Sequence, residues 1–87
     1  MLDVMIQGRK HTITTTPYTF RRAPADDGTG RRTTIVDDAG TEVWSQTWSH
    51  RPDSPAPMVF EALVRLGMAE READASADAW SKTQFVE

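Results

Sequence analysis

His50, Asp53 and Ser54 fall together in His50-Arg51-Pro52-Asp53-Ser54, and histidine, aspartate and serine are the ingredients of general-base and nucleophile chemistry. Their neighbours supply a plainer reading. Ser54 stands where a helix N-cap is expected, with Pro55 at the first helical position and Pro57 still in the first turn, and Asp53 belongs to the turn before it. Capping accounts for both polar residues without a reaction. His11 and His50 are far apart and form no His-x-His or His-x-x-x-His pair, so no metal site is expected. The doublets Asp26-Asp27 and Asp37-Asp38 read as turn aspartates and lack the spacing of a calcium-binding loop. Gly28-Thr29-Gly30 leads into Arg31-Arg32 and a strand, where a phosphate-cradling glycine loop would open a helix. The chain contains no cysteine, which removes thiolate nucleophiles, disulfides and cysteine-based metal sites together. The expectation is a protein that is not an enzyme and carries no metal or cofactor.

Surfaces that could bind are easier to find. Arg21 and Arg22 precede the polar stretch Pro24-Ala25-Asp26-Asp27-Gly28-Thr29-Gly30, and Arg31 and Arg32 follow it. A hairpin there gathers four guanidinium groups at one end, beside Tyr18 and Phe20. That set has the chemistry of a single-stranded nucleic-acid surface, with arginines on phosphates and rings under bases. The plainer alternative pairs these arginines with Asp26, Asp27, Asp37 or Asp38, as salt bridges on a soluble hairpin, and it is preferred because those aspartates sit in the same loops. Trp44 and Trp48 fall on one face of a strand with Gln46 between them, where they either anchor a partner or complete a small core. Glu70, Glu72, Asp74 and Asp78 make the C-terminal segment acidic.

The elements that position these residues follow from hydrophobic period. Leu2, Val4 and Ile6 alternate with Asp3, Met5 and Gln7, the pattern of a strand with one apolar face. A Gly8-Arg9 type II′ turn then predicts a hairpin that sets Val4 opposite Ile13 and Leu2 opposite Thr15. The second strand runs from His11 toward Ala23, and Pro17 within it predicts an edge position or a bulge, since proline gives nothing to a ladder. A third strand is expected through Thr33, Thr34, Ile35 and Val36. Asp37 to Thr41 fits a three-residue hairpin loop with Gly40 left-handed, with a two-residue Ala39-Gly40 loop as the competing register. Val43, Ser45 and Thr47 alternate with Trp44, Gln46 and Trp48 in the fourth strand.

Between Pro52 and Pro57 the period changes from two to helical. Val59, Ala62, Leu63 and Leu66 form an apolar stripe, widened by Met58, Phe60 and Val64, and Gly67 supplies a left-handed stop. Met68, Ala69, Ala73, Ala77 and Trp80 recur at helical spacing beyond it, a second helix held thinly because alanines bury little area. Phe85 and Val86 are expected either to dock as a short tail or to fray. The fold class is therefore α+β: a four-stranded antiparallel meander over 1–50, a core helix over 54–66 and a second helix over 69–82, packed on one face of the sheet. Four strands followed by a helix is also the order in the repeat of PUR-type and Whirly-type single-stranded nucleic-acid binders, to which this chain is similar in topology without a motif match.

At 87 residues the chain is one domain and buries only roughly 60–65% of its unfolded surface. Its 38% hydrophobic and 26% charged content is that of an ordinary globule. No apolar run nears the roughly 20 residues that span a bilayer, and Met1-Leu2-Asp3-Val4 does not open a signal peptide, so a cytoplasmic protein with no membrane partner is expected. The net charge of −3 divides at the period switch: residues 1–52 carry seven basic and six acidic side chains, residues 53–87 three and seven. Such a balance is too weakly acidic for a DNA mimic and too acidic overall for a nucleic-acid footprint. The function expected is a small binding protein that occupies a surface on a larger protein or nucleoprotein complex. Compact, motif-free α+β chains of this size are common among phage and mobile-element proteins, including inhibitors of host defence such as anti-CRISPR proteins. Single-stranded nucleic-acid binding by the arginine-flanked hairpin and an obligate homodimer are the two alternatives.

Overall fold

A computed structural model describes residues 1–20, 28–48 and 56–83. The strands β1 (Leu2–Ile6), β2 (Arg9–Phe20), β3 (Gly28–Val36) and β4 (Glu42–Trp48) precede the helices α1 (Ala56–Arg65) and α2 (Glu70–Thr83). The strands form one antiparallel sheet in the order β1-β2-β3-β4, and with the two C-terminal helices this is the expected α+β fold. Ser54, Pro55, the other residues of the period switch up to Asp53, and the tail with Phe85 and Val86 lie outside the described residues.

One row of the sheet shows why it is stable. Leu2, Ile13, Ile35 and Trp44 stand opposite one another across all four strands. Ile13 and Ile35 are completely buried, while Leu2 and Trp44 at the ends are partly buried against the same core. Each full isoleucine burial contributes about 1.5–3 kcal/mol. The helices close this face with Val59, Ala62 and Leu63 from α1 and Ala73, Ala77 and Trp80 from α2.

The first hairpin corrects the expected register. Its turn is Gln7-Gly8, with φ of 52° and 79°, so both central residues are left-handed, as a type I′ turn requires. Leu2 therefore faces Ile13 and Val4 faces His11, two residues away from the register a Gly8-Arg9 turn would set. A two-residue shift leaves every side chain on its own face, which is why the apolar pattern is indifferent to it. The β3–β4 hairpin takes the three-residue form. Asp37 O accepts from Gly40 N at 3.1 Å, Asp37 N donates to Thr41 O at 2.9 Å, and Gly40 has φ of 83°. Asp37 Oδ1 accepts from Ala39 N and Thr41 N, both at 2.9 Å, which ties the turn to its own aspartate.

Pro17 produces no bulge, because the β2–β3 register is continuous from Thr12 to Phe20. It is an edge proline all the same. β1 pairs only as far as Ile13, and Ile6 and Arg9 flank the two-residue turn, so the odd-numbered residues of β2 turn their backbone polar groups toward β1's side. Pro17 faces that side, beyond the end of β1. The third strand starts earlier than expected, at Gly28, so Gly28, Thr29 and Gly30 belong to the ladder and not to the connection.

Gly67 ends α1 in a Schellman arrangement. Met68 N donates to Leu63 O and Gly67 N to Val64 O, both at 3.0 Å, and the side chains of Leu63 and Met68 are both buried in the core. Gly67 has φ of 107°, and a Cβ there would lie 2.5 Å from Gln7 Nε2. Gly67→Ala is expected to cost about 2 kcal/mol, mostly through backbone strain. Chemical denaturation of Gly67→Ala with and without Gln7→Ala checks this: removing the Gln7 side chain recovers only the smaller, steric part, and full recovery would refute the backbone argument.

The second helix is anchored differently from the expectation. Ala73 and Ala77 are buried, but Trp80 is too, at 0% exposure, and its Nε1 donates to Thr15 Oγ1 at 3.1 Å. Thr15 Oγ1 in turn lies 3.2 Å from Thr33 Oγ1, so two strands and the last turns of α2 share one buried polar junction. A fully buried tryptophan outweighs the thin alanine stripe.

Candidate protein-binding surface

Strand parity decides where the candidate residues can act. Adjacent residues of a strand point to opposite faces, so Arg31 and Arg32 separate: Arg31 joins the row of Pro17 and Trp48, Arg32 the row of Thr16 and Thr47. Tyr18 lies on Arg32's face, 38% exposed. Arg32 is engaged there, with Nη2 at 2.8 Å from Glu42 Oε1 and 3.5 Å from Ser45 Oγ. Its acidic partner is thus Glu42, while the turn residue Asp38 is held by Arg9 at 2.6 Å. Neither pairing is the one expected from loop proximity. Arg21 and Arg22 lie outside the described residues, and Phe20 is placed only by its backbone pairing with Gly28. Of the six residues of the nucleic-acid reading, the structure brings Tyr18 and Arg32 to one face and sets Arg31 on the other.

The sheet face away from the helices is polar. Thr12, Thr14, Thr16, Thr34, Ser45 and Thr47 share it, together with the ion pairs Lys10–Asp3 at 3.4 Å and Arg32–Glu42. Met5 is its most exposed apolar side chain. The hydrogen bond from Thr12 holds the Asp3 carboxyl below its ordinary pKa, Arg9 does the same for Asp38, and Arg32 for Glu42. All three bind protons more readily unfolded, so their stabilisation is present at neutral pH and is lost as pH falls through their lowered values, below about 4. Urea midpoints measured from pH 6 to pH 2.5 are expected to fall most steeply there, less so in Asp38→Asn and in 1 M salt.

On α2, Glu70, Asp74 and Asp78 are exposed at successive i, i+4 positions and form one stripe, which ends on Lys82, 3.0 Å from Asp78. Glu72 lies two residues from both Glu70 and Asp74 and falls on the far flank of the helix. The four acids therefore do not form a single patch.

Trp44 leads to a more developed surface. It is half-buried against the core, and with Gln46 it forms the strand side of an open groove of about 290 Å³. Pro57, Met58 and Ala62 form the helix side, with Glu61 and Arg65 on the rim. A second opening of about 300 Å³ lies across α1, where Pro57 and Phe60 meet Asp74 and Ala77. Met58 and Phe60 are both partly buried, so the N-terminal half of α1 shows apolar surface on two flanks. Glu61 and Arg65 are exposed, stand i, i+4 in the favourable order, and make no ion pair among the described residues. Trp48 follows Gln46 on the same strand parity. The tryptophans were legible in the sequence; Met58, Glu61 and Arg65 read only as parts of a helix, since their role needs α1 to lie beside β4.

His11 is the buried titratable group of the core face, 8% exposed, and its Nδ1 donates to the Arg9 carbonyl at 3.0 Å. Among the described residues no cluster of three His, Cys, Asp or Glu side chains could hold a metal, and no helix is long and apolar enough to cross a membrane. No protein-family model, curated protein or solved structure matches the chain.

Proposed function

We propose that this chain is a non-enzymatic protein-binding module that docks a partner on the surface formed by β4 and α1 and acts by steric occlusion. The observation that carries this reading is the groove itself: a half-buried tryptophan and methionine on its two sides, and on its rim two opposite charges that make no ion pair among the described residues. Interface anchors of this kind are aromatic or flexible apolar side chains in a depression bordered by polar groups. The threonine-rich sheet face also exposes Met5 and Tyr18, but its charges Asp3, Lys10, Arg32 and Glu42 are already paired with one another. A phage or mobile-element inhibitor of a host-defence complex, of the anti-CRISPR type, is the narrow form of this reading, supported by size and composition alone.

Capture from the source organism after nuclease treatment tests it. A protein partner retained by the wild type is expected to be reduced at least tenfold by Met58→Lys and unchanged by Ala75→Lys on the exposed side of α2. Equal capture by all three would refute the groove as the surface. The nucleic-acid alternative predicts oligonucleotide binding that weakens steeply with salt; separation of Arg31 from Arg32 and engagement of Arg32 by Glu42 both weigh against it.

A further inference from the structure

Among the described residues the sheet has three open edge stretches, and they are not alike. β1 has only five residues, and the second of them is the charged Asp3. The free side of β2 beyond Ile13 carries Pro17. Short strands, charges and prolines are the devices that keep an edge from pairing with other chains. β4 has neither of the last two where it matters: from Val43 to Trp48 it reads Val-Trp-Ser-Gln-Thr-Trp, without charge or proline. Its hydrogen-bonding direction follows from the ladder. Even-numbered residues of β2 bond to β3, so Ile35 and Thr33 of β3 turn to β4 and bond Trp44 and Gln46. Ser45 and Thr47 then direct their N–H and C=O groups outward, along the unpaired edge that borders the groove.

Resting on the docking reading above, we propose that the partner enters as an extended segment that adds a fifth strand to β4, with alternate side chains seated between β4 and α1. In this mode main-chain hydrogen bonds supply affinity and the pockets for alternate side chains supply selectivity. The rim specifies the segment's chemistry. Glu61 and Arg65 are about 6 Å apart along the helix axis, four residues at about 1.5 Å each. Two residues of an extended strand span about 6.7 Å. The matching segment therefore carries a basic and an acidic side chain two residues apart on its inward face, flanked by an apolar residue that covers Met58 and Trp44, and uncharged β-formers on its outward face.

The probe is a synthetic nine-residue peptide whose even positions are valine, lysine, glutamate and valine and whose odd positions are threonine, made also with lysine and glutamate exchanged. One of the two is expected to bind saturably, to slow amide exchange at Ser45 and Thr47, and to weaken at least tenfold against Ser45→Pro, which removes an outward N–H and leaves the β3 ladder intact. Thr47→Pro serves equally if Ser45→Pro does not fold. Failure of both peptides to slow exchange at Ser45 and Thr47 overturns strand addition, and so does a wild-type homodimer that Ser45→Pro makes monomeric, since the edge is then occupied by a second copy. The wider docking reading is judged separately: loss of the captured partner by Met58→Lys with none by Ser45→Pro keeps the surface and discards the added strand.

Discussion

Trp80→Ala is expected to cost about 3–5 kcal/mol, the range for truncating a fully buried large aromatic side chain. A chain of 87 residues has a total stability of roughly 4–13 kcal/mol, so this single change removes a large share of it. The loss has two parts. Trp80 is completely buried at the junction of α2 with the sheet, and its indole N–H is the donor to Thr15 Oγ1. The other buried side chains of α2 are Ala73 and Ala77, which bury too little to hold the helix once Trp80 is gone. The thermal midpoint should fall by roughly 12–40 °C, at about 4–8 °C per kcal/mol for a domain of this size. Trypsin should cut first at Arg71 and Lys82, because α2 undocks before the sheet opens. Trp80→Phe keeps most of the ring burial and leaves Thr15 bonded to Thr33, so a cost of only about 1–2 kcal/mol is expected from the lost hydrogen bond and smaller ring. A full-sized loss in Trp80→Phe would show that the indole N–H, not burial, holds α2.

Ile35→Ala is the second large effect, at about 2–5 kcal/mol. Ile35 is completely buried between Ile13 on one neighbouring strand and Trp44 on the other. The register shifts immediately beside it, between Ile35 and Val36. The consequence reaches the groove between β4 and α1, because Trp44 loses the cross-strand neighbour that supports its ring. Stability measured by urea denaturation and the indole N–H resonance of Trp44 should change together in Ile35→Ala. Ile35→Val removes one methylene, and about 0.5–1.5 kcal/mol is expected with the Trp44 signal preserved. An unchanged Trp44 environment in Ile35→Ala would break the proposed link between the core row and the groove.

Side-chain period made the sheet and both helices legible, because alternation and helical spacing follow from backbone geometry alone. It could not choose between a Gly8-Arg9 and a Gln7-Gly8 turn: both place glycine in the turn, and the two registers differ by two residues, which preserves the faces. The choice made by the fold sets Gln7 at φ of 52°, with its side chain against Gly67. That contact joins two turns distant in sequence. Trp80 lay at the right spacing, yet counting alanines understated α2, since one tryptophan on a stripe of alanines carries most of the buried area. Parity did separate Arg31 from Arg32 in principle, but a cluster of four arginines around one connection masks it until the strand is known to begin at Gly28.

The groove was only half legible. Trp44 announces itself as a large aromatic on a strand, whereas Met58, Glu61 and Arg65 acquire meaning from the placement of α1 along β4. On the proposed strand addition, β4 does without the edge protection of the other open stretches because a partner strand covers it.

The most direct test is a photo-crosslinking amino acid placed at position 58 in cells of the source organism, with position 75 as control. A discrete protein adduct at 58, insensitive to nuclease and missing at 75, is the predicted result. An adduct at 75 alone, or one at 58 that nuclease removes, would contradict a protein-binding surface between β4 and α1.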